Sequence, residues 1–548
     1  VQGVTRATDA ATDGDTDTIL AAPDGPDVTW GLAEFIAAEE MDRMRGYWWA
    51  PDSTAILVQR TDESHVQRWH IGDPADPGSE PQVLAYPAAG TTNAAVTLWL
   101  IGLDGVRMPV YLDDEYLTEV TWDRHALSIT TLTRDQRDLR VWTVDTTTGS
   151  TRLAWAGSDA AWVDVQPGLP KHLSDGSTVW LVDSADARHL VIGDRMVTPP
   201  TLQVREVTSV DDDRLLFRAS ADPTEIGLYR YDHADGSIEQ LSPVEPGVWT
   251  GWLRGGTLVM SSQTLAGEGT TVAVVTADGT RRTIANLAER PGLTPRITFV
   301  RTGPRDLATA VLFPTGHVPG SRRLPVLMDP YGGPGHQRVL AASGLYLGSQ
   351  WFADQGYAVI VADGRGVPGR GPAFERAVYR DLATRALDDQ VDALHGVAAA
   401  YSEDIDLTRV AIRGWSFGGY LAALAVLRRP DVFQVAVAGA PVTDWRLYDT
   451  GYTERFLGHP DTDPEAYERS SLLSDAPGLS RPLMLIHGLS DDNVVVAHTL
   501  RLSSALLAAG RPHTVLPLTG VTHMASQEAV AENLLLLQVE FLARAFGL

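Results

Sequence analysis

The sequence contains no cysteine, which excludes disulfide staples, thiolate metal centres and cysteine nucleophiles. Lysine is nearly missing too: Lys171 is the single lysine among 44 basic residues, so chemistry that needs a lysine amine is ruled out almost everywhere. Positive charge is in deficit, with a formal net charge of -26. That balance disfavours nucleic acid or an acidic membrane surface as partner and favours cationic groups, such as peptide amino termini, near the surface. No apolar run reaches the length of a bilayer span, and no charged-then-apolar leader opens the chain. These absences point to the cytoplasm for the chain as given; an exported form stays open, because the sequence starts at Val1 rather than methionine. Residues 1–27 are polar and aperiodic and read as a loop or a cut end. The length of 548 residues is too great for one ordinary core and implies two domains.

What is present is organised around residues 410–424. The apolar run Val410-Ala411-Ile412 stops at Gly414, Ser416 follows two residues on, and small residues then give way to a helix-forming run. This is the strand–turn–helix context of a G-x-S-x-G nucleophile elbow, with Gly414 and Gly418 keeping the tight turn free of Cβ atoms. Ser416 is the candidate nucleophile. Its partners should follow in the order Asp, His, each after a later strand. Residues 482–488 read as a buried strand running into a polar loop with Asp491 as the orienting acid and Asp492 as the second choice. The strand 514–518 precedes a loop with His523, the candidate general base. His487, at the end of an apolar strand, reads as structural. Tyr331, in a Pro-Tyr-Gly-Gly turn after the strand 324–328, lies where an oxyanion donor belongs, and the Phe417 amide is the other donor. A plain turn is the alternative reading for Tyr331.

Between residues 28 and about 290, strands of four to seven residues are punctuated by Asp, Gly and Asn turns. A loose unit recurs at Trp69, Leu98, Val141, Leu190, Leu228 and Val272, spaced by roughly 30 to 50 residues, as in propeller blades of four strands. A β-sandwich is the runner-up. Five or six units fall short of seven or eight blades, as if the propeller began upstream of Val1. Within this region residues 30–52 form one short helical segment bearing Glu39 and Glu40, a pair that composition alone would assign to a solvated face. Trp48 and Trp49 read as blade core. From residue 291 onward, continuously apolar strands near 324, 357, 410, 435, 483 and 514 alternate with helices over 377–400, 417–428, 495–509 and 526–546, which predicts a parallel sheet covered on both faces. The last helix is apolar around most of its circumference and suggests a second subunit.

Three stretches carry a family resemblance: Gly414-Trp415-Ser416-Phe417-Gly418-Gly419-Tyr420, the run 440–456 with Trp445, Tyr448 and Tyr452, and His487-Gly488 leading to Asp491-Asp492-Asn493-Val494. They closely resemble the dipeptidyl peptidase IV branch of the prolyl oligopeptidase family of serine peptidases. Glu39-Glu40 looks like that branch's double-glutamate motif, and Tyr86 to Asn93 like its next marker. The resemblance implies an incomplete β-propeller (28–290) capping a C-terminal α/β-hydrolase domain (291–548), and a homodimer. It implies a serine exopeptidase that needs no cofactor or metal. This enzyme would release N-terminal dipeptides with Pro, less well Ala, at the second position, the glutamates binding the free amino terminus. By the same resemblance, Asn493 helps hold the substrate carbonyl, and Phe417, Val442, Trp445, Tyr448, Tyr452 and Val494 surround the proline ring. An endopeptidase, tripeptidyl or acylaminoacyl peptidase on this scaffold, or a silent propeller binding protein, are the alternatives. Two departures stand out: Phe417 replaces a usual tyrosine, and no arginine for the first substrate carbonyl can be assigned upstream of Glu39.

Overall fold

The computed structural model describes residues 19–548; the part of the N-terminal loop expectation that falls on residues 1–18 lies outside them. One five-stranded and four four-stranded antiparallel sheets succeed one another from Val28 to Ile284, and an eight-stranded sheet follows from Ile297. The two regions differ in burial as their sequences do. Along Gly247–Arg254 the side chains alternate between buried and more open positions, as expected of antiparallel strands with one face on the core. Strands Leu324–Met328, Ala358–Ala362 and Val435–Gly439 are buried throughout, because helices cover both faces of the sheet they form.

The eight-stranded sheet runs in the order Ile297–Thr302, Leu307–Leu312, Ala358–Ala362, Leu324–Met328, Ile405–Trp415, Val435–Gly439, Leu483–Gly488, Thr514–Leu518. The first two strands are antiparallel additions that the sequence reading did not single out, and the other six pair in parallel. The chain is therefore a β-propeller domain joined to an α/β-hydrolase domain.

Three expectations need correction. The unit at Trp69 is not part of a four-stranded blade: Arg68–Ile71 and Gln82–Ala85 form a separate two-stranded hairpin, with Trp69 stacked on Tyr86 at 4.1 Å between ring centroids. The helix expected over 377–400 starts only at Thr384, since Arg380 adopts a left-handed backbone (φ 62°) and gives its amide to Phe456 O. Trp48 is blade core, but Trp49 is exposed and lines a cavity of about 900 Å³ with Trp122, His172 and Arg254.

The edge strand of the first sheet is split. Val28–Trp30 and Tyr47–Trp49 both pair with Ala55–Asp62, and the chain between them leaves the sheet to form the short helix Phe35–Glu40. Gln59 closes the gap, its carbonyl accepting from Gly31 N (2.8 Å) and its amide donating to Gly46 O (2.7 Å). A Cβ on Gly46 would lie 2.8 Å from Leu32 O, so the two ends meet only because this residue has no side chain. Below the helix, Gln59 Nε2 donates to Glu34 (2.8 Å), and Arg43 donates to Gln59 Oε1 (2.7 Å) and Leu117 O (3.0 Å). All three side chains are buried.

The final helix, Glu528–Phe546, buries only Leu534, Gln538 and Leu542 fully, leaving Leu536 and Leu537 50% and 41% exposed. Among the described residues no helix is long and apolar enough to cross a membrane.

Asp329, buried at the end of its strand, accepts from Arg413 (2.8 Å) and Ser349 (2.7 Å), which ties the strand before Tyr331 to the strand before Ser416. Removing the Arg413 cation leaves this buried carboxylate with Ser349 and the more distant Arg338 (3.6 Å). Arg413→Met should therefore lower the urea-unfolding free energy of the hydrolase domain by about 3 kcal/mol; an unchanged midpoint would contradict this account.

Candidate active site

Ser416 stands between the strand Ile405–Trp415 and the helix Phe417–Arg428, with φ 58° and ψ −120°. Such a backbone is costly for a residue with a Cβ and persists only where the surroundings impose it. They do so through packing. A Cβ on Gly414 would come within 2.3 Å of Gly418, one on Gly418 within 2.8 Å of Pro330 O, and one on Gly419 within 2.1 Å of Gly439 O. The helix thus starts pressed against two strands, and its first amide, that of Phe417, has no partner within the helix. Tyr331 follows Pro330 and packs against Phe417 and His336, with ring centroids 6.0 and 4.7 Å away. Burial, with Glu40 adding to it, pushes the Tyr331 phenol up to about 12, so it stays a neutral hydrogen-bond donor at ordinary pH.

His523 Nδ1 is 2.8 Å from Asp491 Oδ2. The other Asp491 oxygen accepts the amides of Asn493 (3.0 Å) and Val494 (2.9 Å). Burial opposes the Asp491 charge, but hydrogen bonds from His487 and His523 outweigh it and hold the carboxyl below its usual range. His487 is buried, with Nε2 donating to Val494 O (2.6 Å) and Nδ1 facing Thr499 Oγ1 (2.7 Å), so it braces the loop that carries Asp491. Asp492 has no such histidine contact among the described residues. The loop of His523 is fastened beside the nucleophile by Trp415 Nε1, which donates to His523 O (2.8 Å). The Ser416 hydroxyl makes no hydrogen bond among the described residues; contacts of this kind often tighten only with substrate bound.

Glu39 and Glu40 reach the same region from the propeller. Asn493 Nδ2 donates to Glu39 (2.9 Å), while Asn493 Oδ1 accepts from Tyr448 (2.9 Å) and its carbonyl from Tyr86 (3.1 Å). Glu40 lies beside Asp449, which is 1% exposed and caps the helix Thr450–Leu457 by accepting from Tyr452 N (2.8 Å). Burial and the Asp449 charge lift Glu40 well above the ordinary carboxylate range, and burial raises Asp449 to about 6.

Trp445 and Tyr452 stack with centroids 5.6 Å apart and planes 8° from parallel, Tyr448 meets Tyr452 edge-on at 5.3 Å, and Phe417 meets Trp445 at 5.7 Å. Val442 and Val494 belong to the same buried cluster. All thirteen residues singled out from the sequence thus lie on the segments around Ser416, His523 and the split strand. Asp449 and Tyr86 were not given roles from sequence. The Asp449-Thr-Gly start marks a helix cap, but nothing local reveals that the cap faces a glutamate from another domain. The marker 86–93 crosses between domains as a strap: Ala89 N donates to Tyr448 O (2.8 Å), and Pro87 O accepts from Thr450 N (2.9 Å).

A propeller seated on a sheet whose strand-to-helix turn carries a left-handed serine, beside a histidine–aspartate pair, is the architecture of the α/β-hydrolases that bear such a cap. Residues 345–548 match the prolyl oligopeptidase family, and residues 10–250 match the dipeptidyl peptidase IV (DPP IV) N-terminal region. The chain belongs to the prolyl oligopeptidase family, in its dipeptidyl peptidase IV branch. Mouse dipeptidyl peptidase 8 is 43% identical over 200 residues, covering 35% of this chain and 22% of that protein. An Aspergillus oryzae protein named "Probable dipeptidyl-aminopeptidase B" is 28% identical over 538 residues, covering 87% and 59%. The matched part therefore spans less than two thirds of either relative. The crystal structure of Porphyromonas gingivalis dipeptidyl peptidase 4 superposes with a TM-score of 0.88 at 26% identity, covering 96% of this chain and 78% of that one.

The contact of Gly418 with Pro330 O links the elbow to Tyr331, so Gly418→Ala must push the two apart. It should cost about 1–3 kcal/mol of stability and slow fluorophosphonate labelling of Ser416. Labelling at the parent rate would show that the close approach is not needed.

Proposed function

We propose that this protein is a serine exopeptidase that releases dipeptides from free amino termini, preferring proline, then alanine, at the second position. The observation behind this reading is the short bridge from Glu39 through Asn493 to Tyr448. It joins a carboxylate of the propeller to the loop bearing Asp491 and to the aromatic wall. In this reading Ser416 attacks the scissile carbonyl, His523 Nε2 takes the hydroxyl proton and later gives it to the leaving amine, and Asp491 holds the imidazole through Nδ1–H. The Tyr331 hydroxyl and the Phe417 amide donate to the oxyanion, and Asn493 donates to a substrate carbonyl. A proline ring fits the flat wall of Trp445, Tyr448, Tyr452, Val442 and Val494, where a charged side chain would be desolvated without a partner. Glu39 and Glu40 take the ammonium group in charge-assisted hydrogen bonds. An extended residue advances about 3.3–3.6 Å, so two residues bring the amino terminus to the carboxylates and a third would overshoot them.

We further infer a propeller unit over 28–290 and a hydrolase unit over 291–548, supported by the change of sheet between Ile284 and Ile297. A homodimer is proposed on the side where Thr514–Leu518 ends the sheet and the final helix exposes Leu536 and Leu537. Light scattering should give twice the 59.2 kDa chain mass at micromolar concentration, and a Leu536→Glu, Leu537→Glu variant half of that; a monomeric parent would refute the proposal.

The catalytic assignment is checked by turnover of Gly-Pro, Gly-Ala, Gly-Lys, Gly-Gly-Pro and N-acetyl-Gly-Pro 4-nitroanilides. Gly-Pro should be cleaved fastest, and the blocked substrate should fail. Ser416→Ala should lose about three or more powers of ten in kcat. Cleavage of blocked or tripeptidyl substrates at the Gly-Pro rate would favour an endo- or tripeptidyl peptidase. No turnover by the parent, with no labelling by fluorophosphonate, would favour a silent binding protein.

The pH dependence follows from the acid pair. Burial and Asp449 raise the Glu40 ionisation above the ordinary carboxylate range, and Glu40 must ionise to pair with an ammonium group, so kcat/KM should rise as pH increases through its ionisation. Asp449→Asn keeps a good helix cap and removes the neighbouring charge. It should move the acid limb to lower pH; an unmoved limb would detach Asp449 from amino-terminus binding.

A further inference from the structure

One propeller turn is spent on a helix of the other domain. Strands Leu127–Leu132 and Asp138–Val144 are joined by residues 133–137, closed by Thr133 N to Asp138 O (3.1 Å) and Gln136 N to Thr133 O (2.8 Å). Gln136 takes the left-handed position (φ 54°), where glycine or asparagine is the usual occupant, yet it is wholly buried. Its amide is committed to the helix Thr450–Leu457: Nε2 donates to Gly451 O (2.5 Å), and Oε1 accepts from Arg455 Nε (2.6 Å). Two residues earlier in the turn, Arg134 grips Glu454 with Nε (2.8 Å) and a terminal nitrogen (2.7 Å), while Gly90 N donates to the same carboxylate (2.8 Å). Glu454 is 2% exposed.

Gly451, Glu454 and Arg455 are spaced i, i+3, i+4 and therefore share one face of the helix. The remaining surface serves the site. Tyr452 belongs to the aromatic wall, and Asp449 at the cap stands beside Glu40. Gly451 lies so close to the glutamate-bearing helix that a Cβ would be 2.5 Å from Ile36 Cγ2 and 3.3 Å from Glu40 Cγ. None of the bonds of Arg134 or Gln136 reaches Ser416, His523 or Asp491.

We propose that Arg134 and Gln136 are positioning residues: through the helix Thr450–Leu457 they set how tightly the site holds a peptide amino terminus, without acting on the nucleophile. The proposal rests on the dipeptidyl peptidase reading and adds to it the element that fixes amino-terminus affinity. A strained, buried glutamine is the observation that separates this turn from ordinary packing, since strain of this kind marks positions whose side chain is needed.

Gln136→Gly tests it, because glycine accepts the left-handed backbone while the amide is lost. With Gly-Pro 4-nitroanilide as substrate, KM should rise about tenfold or more while kcat changes by less than about threefold, and fluorophosphonate labelling of Ser416 should stay within about twofold of the parent rate. Arg134→Lys, which keeps the charge and loses the fork, should raise KM in the same sense by a smaller factor, and it decides the matter alone if Gln136→Gly does not fold. An unchanged KM in the folded variants overturns the proposal. So does a joint fall of kcat, labelling rate and melting temperature, which would mean a domain clamp only. A parent that is labelled but does not cleave the substrate would instead overturn the peptidase reading, and the two failures are told apart because parent and variants share one assay.

Discussion

Three carboxyl groups from two domains, the exposed Glu39, the half-buried Glu40 and the buried Asp449, stand close together, and much of the structure serves to hold them there against their repulsion. Buried like charges do not stay together unless some remain protonated or the backbone leaves them no retreat. Both conditions are met. Burial raises the ionisation of both Glu40 and Asp449 and so favours their neutral forms. The split strand, sealed by Gln59 and braced by Glu34 and Arg43, fixes one side, and the capped helix Thr450–Leu457 fixes the other. Arg455 stands near enough for its charge to ease the ionisation of Glu40. A cluster so arranged is paid for in stability and gains most when a cation from outside joins it.

The chemistry was more legible in the sequence than the architecture that aims it. Ser416, Asp491 and His523 each sit in a turn with a local signature, a glycine-flanked elbow or a polar loop after an apolar strand, so spacing alone singles them out as candidates. Strand character was legible for the same reason, because continuous and alternating apolar runs differ by burial on two faces or one. The Trp69 unit misled because a two-stranded hairpin and the outer half of a blade have the same alternation. The late start of the helix at Thr384 turns on Arg380, whose left-handed backbone is imposed by a bond to Phe456 and has no signature of its own.

Contacts between domains were the illegible part. The pairing of Glu39 with Asn493 spans 454 positions, and no periodicity relates the two. The Tyr86 to Asn93 stretch could be matched to a family marker, but its role as a strap bonded to Tyr448 and Thr450 follows only from the fold. Gln136 looks like any polar turn residue. Its function depends on which helix end happens to lie above it.

The division of labour between the domains bears on how the proposed exopeptidase would read substrate length. The nucleophile is fixed by the hydrolase sheet, through close approaches at Gly414, Gly418 and Gly419 that leave no slack. The glutamates are fixed by a propeller blade whose edge strand was opened to let them out. The distance between the two is therefore a property of neither domain but of the bonds across them: the strap at 87–90, the Asn493 bridge, and the turn at 133–137. An extended residue adds about 3.3 Å or more, so a relative shift of the domains by much less than one residue would misplace an ammonium group while leaving the serine intact. In the proposed exopeptidase, specificity for the peptide end is thus the more fragile of the two functions, and the density of short hydrogen bonds at this interface is what that fragility requires.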